Sequence, residues 1–163
     1  MSNIIVLVKQ VPDTNARIVL SGDRVDLSAV KKVMSPYDEF AVETALQHRE
    51  AIGGEVTAIT VGDAGADKVL KDAKAIGVDH IVRIDSSESH DSNALQTVLA
   101  SVVKSMDASV VYCGKSAADT GAGSTGPGLA ERLGWASVSN SISVSFGDQL
   151  SVVTPSAGGN ARY

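Results

Sequence analysis

The sequence has a single cysteine, Cys113, among 163 residues. No internal disulfide can form, which suits a reducing compartment and a cytoplasmic protein. Aromatic residues are only 4% of the chain. The core must therefore be built from Val, Ile, Leu and Ala, and the stacking platforms that single-strand nucleic-acid binders use are missing. Positive charge is scarce as well: 14 Lys and Arg stand against 19 Asp and Glu, a formal net charge of −5. That balance argues against nucleic acid or a membrane surface as partner. No apolar run approaches the ~18 residues of a membrane span. The opening MSNIIVLVKQ lacks the basic start of a secretory signal and reads as the first strand of the fold. Internal repeats, low-complexity tracts and charged tails are also lacking.

What is present is an ordinary globular balance, 44% hydrophobic and 20% charged, in a length that suits one domain over residues 1–163. Ile4 to Val8 form a continuous β-branched run, as in a strand buried on both faces of a parallel sheet. Glu55 to Val61, His80 to Ile84 and Ala108 to Cys113 are three more strand candidates. Between them, Ala66, Val69, Leu70 and Ala73 fall at helical spacing, and so do Leu95, Val98, Leu99, Val102, Val103 and Met106. Asp91 or Ser92 can cap the second of these helices. A further helix is expected from about Glu39 to Glu50, after Ser35-Pro36 and before Gly53-Gly54. The alternation predicts a doubly wound α/β domain with a mainly parallel, Rossmann-like sheet. Two additions are expected: an inserted β-hairpin around Ser21-Gly22-Asp23, and a C-terminal edge hairpin around Gly147-Asp148.

In such sheets ligands bind beyond the carboxyl ends of the strands, where strand order reverses. Four segments are expected to meet there: Lys9 to Thr14, Val61 to Asp63, Asp85 to Ser87, and Gly114 to Thr125. The last is the richest. GKSAADTGAGSTG holds four glycines and four serines or threonines and runs straight into a helix start. Glycines admit a ligand close to the backbone, consecutive N–H groups make an anion nest, and the helix adds its positive end. The pattern is that of a phosphate cradle, with a capped surface loop as the plainer reading. It is neither a Walker motif nor a Rossmann glycine fingerprint. Ser116, Thr120, Ser124 and Thr125 can add hydroxyl groups. Asp119 can accept from a ribose or make an Asx turn. Lys9 and Asp13 are candidate polar lining. His48, His80 and His90 have no ligand spacing, so no metal site is expected. Cys113 and Trp135 read as packing residues, and no catalytic triad or carboxylate pair can be picked out.

Several segments occur together in a specific order: VLVKQVPDT, a hairpin, MSPYDEFAVETAL, GGEVTAITVGDAGADKVLKDAKAIGVD and CGKSAADTGAGSTGPGLAERLG. Together they resemble the β subunit of electron transfer flavoprotein over roughly residues 1 to 145. The resemblance implies a domain that binds AMP and pairs with an α-like subunit that holds most of the FAD, itself non-catalytic in electron transfer. It implies ligand contacts from Leu7, Ser35, Val61, Gly114, Asp119, Thr120, Gly123, Ser124 and Thr125. This chain departs from the family at Ser35, where Asn is common, and near Thr120 and Ser124, where an acidic residue and Gln are usual. It is also shorter than family β subunits, as a stand-alone relative or an excised domain would be. An alternative is a stand-alone adenine-nucleotide sensor and homodimer resembling universal stress proteins. A third is a structural domain whose cradle stays empty.

Overall fold

A computed structural model of the chain, which describes residues 3–147 and 149–163, contains the expected alternation of strands and helices. In chain order these are β1 (Asn3–Leu7), β2 (Gln10–Pro12), β3 (Val19–Ser21), β4 (Arg24–Asp26), β5 (Lys32–Met34) and α1 (Pro36–Ile52). There follow β6 (Glu55–Gly62), α2 (Asp67–Ile76), β7 (His80–Asp85), α3 (Ser92–Ser105), β8 (Val110–Cys113) and α4 (Thr125–Leu133). The chain closes with β9 (Ser143–Ser145), β10 (Ser151–Ser156) and β11 (Gly159–Arg162).

Strands β7, β6, β1 and β8 form one parallel sheet in that order. The chain first builds outward from β1 through β6 to β7, then crosses to the other side of β1 to lay down β8. Residue alternation along β1 decides which helices cover which face. Ile4 and Val6, with Val8 just beyond, pack in one layer with Ala41, Val42, Ala45 and Leu46 of α1 and Val69, Leu70 and Ala73 of α2. Ile5 and Leu7 pack in the other with Leu99, Ala100 and Val103 of α3 and Leu129 of α4. Helices on both faces make the sheet doubly wound, as the continuous apolar run of β1 predicts.

Local signals account for the helix limits. Pro36 occupies the first turn of α1, where its missing N–H costs nothing, so the helix begins three residues earlier than Glu39. Asp91 caps α3 by accepting from the Ala94 N–H at 2.7 Å.

The hairpin inserted between β1 and α1 is present as β3–β4, joined through Gly22-Asp23. Its base is closed by an antiparallel pair, β2 with β5, that the sequence reading missed. Three residues per strand offer too little periodicity to register. The C-terminal hairpin is also present as β9–β10; Asp148 of its expected turn lies outside the described residues. These strands join each other and β11 in a three-stranded antiparallel sheet of their own, not the edge of the parallel sheet. Trp135 differs from its expected role as packing. It is 37% exposed and lines a groove of about 1510 Å³ beside β8.

A polar staple ties α1 to the sheet. Asp79, just before β7, accepts from the Val56 N–H at 2.8 Å and from Arg49 Nη1 at 2.9 and 3.0 Å. Burial disfavours its charge, but the Val56 N–H and the Arg49 guanidinium more than offset this and hold the carboxyl below its ordinary range. Asp79→Ala would orphan the Val56 N–H and should cost about 1–3 kcal/mol, read as a lower urea midpoint at unchanged m-value. A depressed folded-state pKa stabilises above the unfolded value of 3.8, so the wild-type advantage should shrink as pH falls below it.

Candidate functional site

The reversal of strand order falls between β1 and β8, and the crevice at their carboxyl ends is the place where an open α/β sheet takes a ligand. Lys9 lies just beyond β1. Gly114 is the first residue beyond β8 and opens the loop that leads to α4. The Lys9 ammonium reaches across to Asp119 of the loop at 2.8 Å. The side chain of Asp119 is therefore engaged with Lys9, not in an Asx turn. Asp13 makes the Asx turn instead, accepting from the Asn15 N–H at 2.9 Å.

The start of α1 forms the floor. Ser35, fully buried, donates its N–H to the Lys9 carbonyl at 2.9 Å, and its Oγ accepts from the Ala118 N–H at 3.3 Å. Ser35 thus ties the segment after β1 to the loop after β8. Asp38, one turn further on, accepts from the N–H groups of both Lys9 and Gly114. The sequence reading missed Asp38. The signal for it was a carboxylate in the first turn of α1, which resembles an ordinary helix-start acid.

The far end of the loop changes hand at Gly123. Gly123 has a φ of 62°, a left-handed backbone that strains any L side chain, and Ser124 follows in the right-handed region. Adjacent residues of opposite hand curl their N–H groups into one concavity. Among the described residues, the N–H groups of Gly123, Ser124, Thr125 and Gly126 donate to no backbone or side-chain acceptor. They lie at the start of α4, the positive end of the helix.

Behind them the helix is held by close packing. A Cβ on Gly126 would lie 2.8 Å from Cys113 Sγ, and one on Gly128 would lie 2.2 Å from Gln96 Oε1. Gln96, buried on α3, donates to the Ser124 carbonyl at 2.9 Å and accepts from Arg132 Nη1 at 2.7 Å.

The structure brings two of the four expected segments directly together, those beginning at Lys9 and at Gly114. Of the expected Val61 to Asp63 segment, Val61 and Gly62 end β6; it is Gly65, two residues past the segment, whose carbonyl accepts from Gln10 Nε2 at 2.8 Å. Asp85 ends β7 and Ser86 and Ser87 follow it, at the far edge of the sheet, two strands from β1 and away from the crevice. Leu7 and Val61 turn their side chains into the apolar layer beneath α3 and α4. Thr120 is exposed, and Thr125 begins α4.

Cys113 is packing, as expected. Burial, with the charge of Asp38, pushes its thiol up to about 11, so it is no thiolate nucleophile at neutral pH. The histidines are dispersed. His48 Nδ1 lies 2.8 Å from the Tyr112 hydroxyl, His80 meets Glu55 at 3.2 Å, and His90 meets Ser86 at 2.8 Å. Among the described residues there is no cluster of His, Cys, Asp and Glu able to hold a metal.

These features define a class: a doubly wound α/β domain with an anion-competent loop at its switch point. The chain belongs to the electron transfer flavoprotein domain family, whose model matches residues 24–163. It is 36% identical over 134 residues to the β subunit of electron transfer flavoprotein from Bacillus subtilis, an alignment covering 80% of this chain and 52% of that protein. It is 34% identical over 140 residues to protein FixA of Azorhizobium caulinodans, covering 81% and 50%. It is 31% identical over 136 residues to the electron transfer subunit gamma of acryloyl-CoA reductase from Anaerotignum propionicum, covering 80% and 51%. The chain thus spans about half the length of the curated relatives it matches.

Gly114 tests the geometry of the crevice. A Cβ there would lie 2.3 Å from Asp38 Oδ1 and 2.8 Å from the Tyr37 carbonyl carbon. Gly114→Ala should therefore destabilise the domain by about 1–3 kcal/mol. Gly147→Ala, with nothing within 4 Å, should stay within about 0.5 kcal/mol. Equal thermal melts for the two variants would contradict the close packing at Gly114.

Proposed function

We propose that this domain holds an adenine mononucleotide by its phosphate and serves as the β-type component of an electron-transfer assembly. The observation that carries the reading is the run of four N–H groups from Gly123 to Gly126, at the start of α4, that meet no acceptor among the described residues. They suit the several acceptor oxygens of one phosphate. Gly114, Asp119 and Thr120 lie on the approach, and Ser124 and Thr125 can add hydroxyl donors. In this reading Leu7, Ser35 and Val61 stand behind the crevice and support it: Leu7 and Val61 belong to the apolar layer beneath α3 and α4, and the Ser35 hydroxyl accepts from the Ala118 N–H. Family membership favours electron transfer over the stand-alone sensor.

In this reading AMP is a bound ligand and not a redox group. The FAD that carries electrons is held by an α-like partner subunit. The partner covers apolar surface that this chain exposes. Phe40 is 71% exposed, Ile142 57% and Tyr163 67%, and all three line the groove beside β8. A homodimer would cover the same surface if no α-like chain binds.

Calorimetry with AMP and with adenosine tests the ligand. AMP should bind and adenosine should bind much more weakly; equal affinities would remove the phosphate from the recognition. Gly123→Val should abolish AMP binding with the fold retained, because its left-handed backbone and its place in the nest both reject a side chain. Ser124→Ala should lose about 0.5–1.5 kcal/mol, one neutral hydrogen bond. The reverse order of effects would mean recognition by hydroxyl groups instead.

A further inference from the structure

Asp38 is the third residue of α1 and only 7% exposed. A carboxylate in a first turn commonly serves the N–H groups of its own helix. This one reaches away from it. Oδ2 accepts from the Lys9 N–H at 2.8 Å and Oδ1 from the Gly114 N–H at 3.2 Å. Those amides lie just beyond β1 and β8, the two strands that flank the switch point. One side chain therefore spans the mouth of the crevice and holds the first residue of the anion loop.

The nearest ammonium is spent elsewhere, since Lys9 Nζ pairs with Asp119. The charged and titratable groups that face Asp38 are Lys9 after β1, Asp119 in the loop and Cys113 at the end of β8. Tyr37 precedes it on α1. The carboxylate also occupies two N–H groups that a switch point would otherwise offer to an anion. That leaves the nest at Gly123 to Gly126 as the place for a phosphate.

We propose that Asp38 is the positioning residue of this site: its ionised carboxylate clamps the Lys9 and Gly114 amides and thereby fixes the root of the loop that holds the phosphate. The ligand part of this statement rests on the phosphate reading above; the clamp itself does not.

The clamp carries its charge against an opposing force. Burial pushes the Asp38 carboxyl up to about 6, with the Lys9 and Gly114 N–H groups pulling it back down. The folded value lies above the unfolded one of 3.8, so protonation favours the folded chain. This contribution to stability is full below 3.8 and is lost as pH rises through about 6. The ionised clamp thus costs stability at neutral pH, and acidification loosens it without unfolding the domain through this group.

Two measurements test the clamp. In amide NMR spectra of the wild type, Lys9, Gly114, Ala118 and Gly121 should titrate together with a midpoint of about 6. Asp38→Asn should erase that shared inflection. In calorimetry with AMP at pH 7.5, Asp38→Asn should bind about tenfold more weakly than wild type, the loss of one charge-assisted hydrogen bond. The ratio should fall to about twofold at pH 5, and the second ionisation of the phosphate, near pH 6, cancels because it acts on both proteins. The absence of a shared inflection between pH 5 and 7 would overturn the clamp, as would a ratio that stays constant across pH. If the wild type binds no AMP, the phosphate reading falls, and the amide titration alone decides the clamp. If the Asn variant does not fold, the wild-type titration decides it.

Discussion

The candidate site depends on one topological constraint: β1 lies between β6 and β8, with the chain reversing direction of growth across it. Parallel pairing in register, Leu7 with Ile59 on one side and with Cys113 on the other, brings the ends of β1 and β8 to the same level, while β6 runs on to Gly62. Only then can the segments after them share a crevice. A one-residue slip of β1 would exchange the sets Ile4 and Val6 with Ile5 and Leu7 between the two helical layers. Both layers are apolar, so the register is held less by polarity than by shape and by the contacts at the strand ends.

Those contacts are mostly backbone amides met by short side chains. Ser35 and Asp38 lie one turn apart at the start of α1 and between them engage Lys9, Gly114 and Ala118. The Lys9–Asp119 pair above them is partly exposed, with 42% and 29% of the side chains accessible. Such pairs contribute ~0–1 kcal/mol. The loop therefore takes its position from the buried floor, and the exposed ion pair adds orientation near the mouth.

The same division bears on how a chain of net charge −5 would hold the proposed phosphate. In the proposed reading the attraction would come from fixed dipoles, namely the start of α4 and the N–H groups from Gly123 onward, and not from a basic patch. Close packing keeps those dipoles aimed. Gly126 lets α4 approach Cys113, Gly128 lets it approach Gln96, and Gln96 holds the Ser124 carbonyl. The glycines of the loop thus serve two ends, conformation at Gly123 and close approach at Gly114, Gly126 and Gly128.

Much of this was legible in the sequence. The β-branched run of β1, the helical spacing of Val69, Leu70 and Ala73, the Asp91 cap and the Gly114 to Thr125 loop are local patterns, and local patterns survive in one dimension. The order of segments also carried the family resemblance. Four things were decided only by the tertiary structure. The β2–β5 pair and β11 are too short to show a period. The placement of β9 and β10 in a separate sheet depends on which edge accepts them, which alternation does not encode. Trp135 lies along an open groove because the chain after α4 leaves the parallel sheet. Asp38 looked like any acid at a helix start, and its role as a bridge exists only because β1 and β8, more than a hundred residues apart, end side by side beneath it. Sequence specifies which residues can make a contact; distant chain segments must first pack together before a buried carboxylate has two amides to hold.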